Sequence, residues 1–123
     1  MKIINASRNA VIAEHAAVAD TLGTRTKGLL GRTQLSSGEA LVITRCQSIH
    51  MLFMKFSIDV IFIDSRNRVV GLVKNIQPFR FSPVFWKASS VIECAPGTIE
   101  MTGTAVGDQL DLSDGKSRPM CLP

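Results

Sequence analysis

Two carboxylates lie in the most apolar segments of the chain, where a charged group could do chemistry. Asp59 is part of the run Ile-Asp-Val-Ile-Phe-Ile-Asp at residues 58–64, and Glu93 lies near the end of the apolar run at residues 89–94. Burying a carboxylate is costly unless it is paired or hydrogen-bonded. Each of the two is therefore either the structural counter-ion of a basic side chain or an acid–base group in a functional site.

Three basic residues are the candidate partners of these carboxylates. Arg25 and Arg32 are seven residues apart, two turns of the short helix predicted near residues 24–32, so they share a face. Two aligned guanidinium groups can bind a carboxylate or a phosphate; the alternative is a solvated helix face with structural ion pairs. The third is His50. Together with the two carboxylates they would form either a ligand-binding or acid–base cluster or a plain buried ion-pair network.

The cysteines do not indicate a metal site. Cys46 and His50 are four residues apart, which on an extended strand is roughly 13 Å, too far to share one metal ion unless the segment bends. The same distance argues against a Cys–His nucleophilic pair, which also lacks an orienting group. The cysteines, Cys46, Cys94 and Cys121, include no CxxC pair and are expected to be reduced thiols. Neither a metal nor a cofactor is expected.

A stretch rich in proline and aromatic residues follows the predicted centre of the fold. Residues 75–86 contain two prolines, three phenylalanines and the single tryptophan. Proline is rare in central strands, so this stretch predicts a long loop. Its aromatic side chains either cover the core or rim a pocket. A protein partner, if there is one, is expected to dock on Phe79, Phe81 and Trp86.

Short strands are the elements that must position these residues. Residues 58–63 are apolar on both faces and predict a central strand covered on both sides. Residues 64–68 predict a hairpin turn, and residues 69–74 the returning strand. Further elements are strands at residues 40–44 and 89–94, a turn and a last strand within residues 106–112, a hairpin or a pair of edge strands at residues 11–19, and one helical turn at residues 98–102.

These elements predict a single, mainly β domain with a minor α component (α+β). Short strands with turns at intervals of about 8–12 residues are typical of a compact barrel or sandwich. We expect mostly antiparallel strands and one short helix near residues 24–32. The 123 residues fit one domain. Its core is expected at about residues 21–112, with a tail over residues 113–123.

Composition argues against several classes of function. Hydrophobic residues make up 46% of the chain and charged residues 20%, the balance of a globular protein. The net charge of +4 is too small and too evenly spread to indicate a nucleic-acid partner. No apolar run approaches the roughly 20 residues that cross a bilayer, and no signal peptide is seen, so no membrane partner is expected and the expected location is cytoplasmic. Common nucleotide-binding and hydrolase motifs are absent.

Four motifs, taken together, resemble the signatures of a known family. They are Arg-Thr-Lys-Gly-Leu-Leu-Gly-Arg at residues 25–32, the segment at residues 48–64, Val-Ile-Glu-Cys-Ala-Pro-Gly at residues 91–97, and Gly-Asp at residues 107–108. Their order and spacing resemble the DUF192 family, a domain of unknown function, over about residues 21–112. The second motif is the specific one.

The resemblance implies a small, mainly β, barrel- or sandwich-like domain of bacteria and archaea, and a bacterial source is expected here. Many members carry a secretion signal, which is not expected in this chain. The family has no agreed activity, so the resemblance supports the fold more than the function. The chain departs from the family at Met51, where members often have a small polar residue. The family's motif positions are Arg25, Gly28, Leu29, Gly31, Arg32, His50, Met54, Asp59, Asp64, Glu93 and Gly97.

Three hypotheses for the function follow from these observations. The first is a binding domain that holds a small polar or anionic ligand in a pocket. The second is an accessory or protein-interaction module without catalysis. The third is an acid–base enzyme that uses His50 with either Glu93 or Asp59. The pocket of the first hypothesis would be lined by Arg25, Arg32, His50, Asp59 and Glu93.

Overall fold

The described residues form eight strands and one short helix. The computed structural model describes residues 1–19, 35–49, 51 and 55–113. The elements in chain order are β1 (Lys2–Asn5), β2 (Ala10–Ala13), β3 (His15–Ala19), β4 (Glu39–Thr44), β5 (Ile58–Ile63), β6 (Val69–Ile76), β7 (Ser90–Cys94), α1 (Thr98–Thr102) and β8 (Leu110–Ser113).

The strands form two sheets. A three-stranded antiparallel sheet has the order β2-β1-β8, and a five-stranded sheet has the order β3-β4-β7-β5-β6. Every neighbouring pair in the larger sheet is antiparallel except β3 and β4, which are parallel. A parallel pair needs a long crossover connection, and residues 20–38 are long enough to provide one. The larger sheet positions both predicted carboxylates, because Asp59 lies on β5 and Glu93 on β7.

The core lies on both faces of the five-stranded sheet. The first cluster fills the space between the two sheets and contains Ile3 and Ile12 of the smaller sheet with Ile61 and Ile92 of the larger one. The second cluster covers the opposite face of the larger sheet. It contains Leu35, Ile49, Met51, Ile58, Val60, Phe62, Ile76, Ala88 and Val91. Because β5 faces a cluster on each side, all six of its residues are buried.

Strand β6 contains two irregularities in its pairing with β5. The register shifts between Ile58 and Val60 and again between Phe62 and Ile63. At the first shift, Lys74 and Asn75 together face Asp59, the arrangement of a β-bulge. Asn75 has a φ of 51°, in the left-handed region that asparagine tolerates better than most residues. The bulge leaves the N–H of Asn75 without a partner in the ladder, and the Asp59 carboxylate accepts it.

A long segment, residues 77–89, packs over the second cluster; we call it the aromatic loop. It is hydrogen-bonded through its backbone to residues 46–51: Phe79 N–H donates to Met51 O (2.7 Å), Ser82 N–H to Ile49 O (2.9 Å) and Phe85 N–H to Gln47 O (2.8 Å). These bonds hold the loop against the segment that precedes β5.

The two ends of the described chain are joined by a polar network. The side-chain amide of Asn5, at the end of β1, donates to Asp108 Oδ2 (2.9 Å) and to Thr104 Oγ1 (3.1 Å). Arg8 Nε also donates to Asp108 Oδ2 (2.9 Å). The hydrogen bond from Arg8, together with those from Asn5 and the Ala105 N–H, lowers the pKa of Asp108 to about 2. The network fixes the turn that leads into β8 against β1.

The structure confirms most of the predicted elements. The fold is mainly β, and among the described strands the two sheets do not close into a barrel, so the architecture is the sandwich-like one. The central strand at residues 58–63 is confirmed, as is the turn after it, where Asp64 Oδ1 accepts the N–H groups of Arg66 and Arg68 (both 2.9 Å). The helical turn at residues 98–102 is α1.

Other predictions are refined by the structure or lie outside the residues it describes. Of the two alternatives for residues 11–19, the structure shows the pair of edge strands, since β2 and β3 lie at the edges of different sheets. The returning strand runs on from residue 74 to Ile76, since the bulge lengthens it. The helix predicted near residues 24–32 and the tail beyond residue 113 lie outside the described residues.

Candidate functional site

Glu93 is a buried carboxylic acid at the centre of the larger sheet. On β7 it is paired with Leu41 of β4 and with Val60 of β5. Its exposed fraction is only 7%. Burial disfavours the charged form and raises the pKa of Glu93 from 4.5 to about 7. Within the described part of the chain, no group donates a hydrogen bond to its side chain.

The face that carries Glu93 is the one covered by the second cluster. Paired residues of an antiparallel sheet point to the same side, so Glu93 shares its face with Val60 and with Val91, two positions earlier on β7. Ile49 and Met51, the sequence neighbours of His50, are also buried in this cluster. The three predicted basic partners, Arg25, Arg32 and His50, themselves lie outside the described residues.

Asp59 points to the opposite face of the sheet. It is paired with Cys94, which belongs to the first cluster, and is 1% exposed. Its Oδ1 accepts the N–H of Asn75 (2.8 Å) in the bulge of β6, and its Oδ2 accepts the N–H of Ile99 (2.9 Å) in α1. The described partners of Asp59 are therefore backbone N–H groups, and the arginines expected as its counter-ions, Arg25 and Arg32, lie outside the described residues.

The opposite directions of Asp59 and Glu93 divide the predicted site. A single pocket cannot be lined by both side chains, because the sheet itself separates them. The five predicted residues therefore do not converge as a whole. Glu93 remains available to a site on the second-cluster face, whereas Asp59 connects the bulge of β6 to α1.

Of the described cysteines, Cys94 is unsuited to nucleophilic catalysis. Cys94 is buried in the first cluster, and burial raises the pKa of its thiol to about 12, so the reactive thiolate is not formed near neutral pH. Cys46 Sγ donates to the carbonyl oxygen of Ser48 (2.9 Å). Among the described residues there is no group of three or more His, Cys, Asp or Glu side chains that could hold a metal ion. Cys121 lies outside them.

The aromatic residues of the loop divide into one half-buried residue and three exposed ones. The ring of Phe85 packs against that of Phe62, with the ring centroids 4.4 Å apart. Phe79, Phe81 and Trp86 are instead 63%, 68% and 78% exposed. One aromatic residue thus covers the core, as predicted, while three face the solvent.

The sequence left open which aromatic residue of the loop covers the core, and the structure assigns this role to Phe85. Its ring lies directly over Gly71 of β6, where an added Cβ would be 2.3 Å from two ring atoms. A glycine inside a strand often marks the close approach of another group, so Gly71 was the signal that could have found this contact.

A shallow cavity of about 230 Å³ lies elsewhere, between β2 and α1. Its lining includes Glu14, Thr98 and Thr102. Both hydroxyl groups already donate to backbone carbonyls, Thr98 to Ala95 O (2.7 Å) and Thr102 to Thr98 O (2.8 Å). These two hydroxyl protons are therefore not available to a ligand in the cavity.

Comparison with known sequences identifies the family. The model of the family DUF192, described as "Uncharacterized ACR", matches residues 3–112. The chain belongs to the DUF192 family. The resemblance seen in the sequence motifs is thereby confirmed, over a slightly longer stretch than expected. Among the helices of this DUF192 protein that the structure describes, none is long and apolar enough to span a membrane.

Curated relatives of this DUF192 protein are archaeal proteins without an assigned activity. A "UPF0127 protein" of Thermococcus sibiricus is 35% identical over 113 residues, which cover 89% of this chain and 73% of the relative. Another, from Thermococcus gammatolerans, is 33% identical over 122 residues, covering 94% and 79%. These archaeal relatives contradict the expectation of a bacterial protein.

Two solved structures share the fold of this DUF192 protein. One is a protein of unknown function from Novosphingobium aromaticivorans, with a TM-score of 0.75 and 22% identity, covering 90% of this chain and 82% of the other. The second is a putative transcription regulator from Sinorhizobium meliloti, with a TM-score of 0.72 and 23% identity, covering 89% of each chain. At these identities the likeness establishes the architecture alone.

Proposed function

We propose that this DUF192 protein binds a small polar or anionic ligand at the face of the five-stranded sheet that carries Glu93. The observation that carries the proposal is the burial of the Glu93 carboxyl among apolar side chains, with no described hydrogen-bond partner. Burial of a carboxyl group costs free energy unless a hydrogen bond or an opposite charge compensates it. Groups of this kind are retained more often at functional sites than elsewhere in a core.

The chemistry of the ligand follows from the groups available. With its pKa near 7, Glu93 can donate a hydrogen bond as the neutral acid and can also accept one. Arg25, Arg32 and His50 are the basic residues that the sequence motifs add to this site. A ligand with an anionic group for the basic residues and a hydroxyl, amide or carbonyl for Glu93 fits both requirements. Asp59 is not part of the proposed site.

A thermal-shift screen tests the proposal. The probes are small carboxylates, phosphates, amines, sugars and divalent metal ions, each added to the wild type and to Glu93→Gln, His50→Ala and Glu14→Gln. Because a ligand stabilises only the state that binds it, a true ligand raises the melting temperature of the wild type. It should do the same for Glu14→Gln, whose carboxylate is exposed and pairs with Lys2. The shift should be lost or strongly reduced in the other two variants.

Two results would contradict a ligand site at Glu93. A compound that shifts all four proteins equally binds elsewhere. If no compound in the panel shifts the wild type, the ligand-binding function is abandoned in favour of the second candidate. Melting temperatures of the variants without ligand serve as the reference, so that a change in basic stability is not mistaken for lost binding.

The second candidate function is a protein-interaction module. It is favoured by a specific observation, the exposure of three aromatic side chains on the aromatic loop. Exposed aromatic residues are costly to leave in water and are enriched where proteins bind one another. The third hypothesis, an acid–base enzyme, is supported less well. Both carboxylate oxygens of Asp59 already accept backbone N–H groups. Of the two carboxylates proposed for acid–base catalysis, only Glu93 then remains.

A further inference from the structure

We propose that the aromatic loop binds a segment of a partner protein that is acidic and also contains apolar side chains. The docking surface consists of Phe79, Arg80, Phe81, Trp86 and Lys87. This inference extends the second candidate function by assigning the chemistry of the partner, and it is independent of the Glu93 site. The ligand screen above and the binding experiment below can therefore fail separately.

The composition of this surface matches that of a protein-binding site. Its three aromatic side chains are between 63% and 78% exposed. Trp, Phe and Arg are enriched at protein interfaces, and Trp and Arg in particular carry a large share of the binding free energy. The backbone of the loop is fixed by its hydrogen bonds to residues 46–51, so the aromatic side chains project from an ordered support and lose less entropy on binding.

The charge around the aromatic side chains selects an acidic partner. Arg80 and Lys87 are exposed, and neither forms an ion pair with any residue that the structure describes. Residues 40–58 and 65–92 contain no aspartate or glutamate, and the second stretch holds five arginine or lysine residues. Exposed basic groups in a stretch of sequence that contains no acidic residue favour association with acidic segments and disfavour basic ones.

The same charge argues against a second copy of this chain as the occupant. If two identical surfaces met about a twofold axis, Arg80 and Lys87 of one copy would face the same basic residues of the other. Such like-charge contacts are unfavourable, and the chain as a whole carries a net charge of +4. A partner of different and acidic sequence avoids this repulsion.

The single tryptophan allows binding at this surface to be measured by fluorescence. The chain has one tryptophan, Trp86, and no tyrosine, so its intrinsic fluorescence reports the proposed docking surface alone. The probes are peptides selected from a displayed random library on the full chain. We expect the selected peptides to be acidic with interspersed apolar residues, to shift the emission of Trp86 to shorter wavelength and to protect it from acrylamide.

Matched variants locate the binding to this surface. Phe79→Asn removes one aromatic ring and retains a residue that suits the φ of 66° at that position; it should weaken peptide binding on the order of tenfold. Arg80→Gln with Lys87→Gln should weaken it by several-fold and reduce its dependence on salt. The control, Lys2→Gln with Lys74→Gln, removes the same charge from residues that pair with Glu14 and Glu100 elsewhere, and should bind like the wild type.

Several outcomes would overturn the inference. They are selected peptides that are neutral or basic, the absence of any enrichment, and binding that survives Phe79→Asn unchanged. A shift of Trp86 emission produced only by phosphatidylserine vesicles would assign the surface to a membrane, and one produced only by a single-stranded oligonucleotide would assign it to nucleic acid. A shift that depends on protein concentration alone would indicate self-association. Circular dichroism of each variant confirms that the fold is intact.

Discussion

Asp59 and Glu93 lie on neighbouring strands of one sheet and point to opposite sides of it. Asp59 pairs with Cys94, and Glu93 pairs with Val60, one position away along both strands. Since successive residues of a strand alternate between faces, this offset of one position puts the whole thickness of the sheet between the two carboxyl groups. The two groups are therefore expected to act independently, one in the structure and the other in the proposed site.

Asp59→Asn should destabilise the fold strongly. The substitution replaces one acceptor oxygen by an NH₂ group that faces a backbone N–H, at Asn75 or at Ile99. Hydrogen bonds to a buried charged group are worth about 1.5–3 kcal/mol each, and an unsatisfied buried N–H adds to the loss. We expect the free energy of unfolding to fall by about 3 kcal/mol, measured by urea denaturation with far-ultraviolet circular dichroism.

The control for this measurement is Glu100→Gln, whose carboxylate is exposed and pairs with Lys74. Exposed substitutions of this kind change the free energy of unfolding by about 0.5 kcal/mol or less. If Asp59→Asn were no more destabilising than this control, the two backbone hydrogen bonds of Asp59 would not be holding the bulge of β6 and α1 together.

Glu93→Gln should change how the stability depends on pH. Burial raises the pKa of Glu93 from 4.5 to about 7, so the folded state keeps its proton over a range in which the unfolded state has lost it. Below pH 4.5 both states are protonated and the contribution is fully present. As the pH rises from 4.5 to about 7, the wild type should lose on the order of 3 kcal/mol of stability, and little more above that.

Glutamine resembles the neutral acid but does not titrate. The stability of Glu93→Gln should therefore not fall between pH 4.5 and about 7 as that of the wild type does. Urea midpoints of both proteins between about pH 4 and pH 8 measure it. The difference between the two profiles removes the contribution of every other titrating group. Parallel profiles would mean that the pKa of Glu93 is not raised in the folded protein, which would contradict this prediction.

Gly71→Ala should force Phe85 out of its position. An added Cβ would lie 2.3 Å from the Cδ1 and Cε1 atoms of the Phe85 ring, which is too close for any real contact. The ring also packs against Phe62, so it cannot move without losing that contact. Overpacking of this kind costs about 1–3 kcal/mol, and we expect the free energy of unfolding to fall by about 2 kcal/mol.

A double variant separates this steric effect from a general effect on the strand. Gly71→Ala should cost much less in the background of Phe85→Leu, because the smaller side chain leaves room for the added methyl group. The loss of unfolding free energy in the double variant should therefore be smaller than the sum of the two single losses by about 1 kcal/mol or more. Strict additivity would mean that Gly71 is needed for the backbone of β6 and not for the ring.

The sequence predicts elements whose signals are local. The continuous apolar run at residues 58–63 is typical of a buried central strand, and the Asp-Ser-Arg-Asn-Arg sequence after it favours a tight turn. Both are confirmed. α1 is short, but Gly97 and Gly103 bound it with φ values of 92° and 67°, conformations that glycine adopts readily.

Pairings between distant segments could not be predicted in the same way. The face of Asp59 relative to its own strand follows from alternation, but its relation to Glu93 depends on the register between β5 and β7. A shift of one residue in that register would put both carboxyl groups on one face. The register depends on bulges and on the packing of both clusters, so the sequence led us to group two residues that the sheet separates.

The position of β1 has a consequence for the synthesis of the protein. β1 lies between β2, which follows it at once, and β8, whose Leu110 pairs with Asn5. The hydrogen bond between Asn5 and Asp108 spans 103 positions of the sequence. While the nascent chain is shorter than about 110 residues, one edge of β1 has no partner strand. During most of translation the nascent chain therefore has a strand whose backbone groups are unpaired along one edge. We expect the smaller sheet to be the last part of the fold to form.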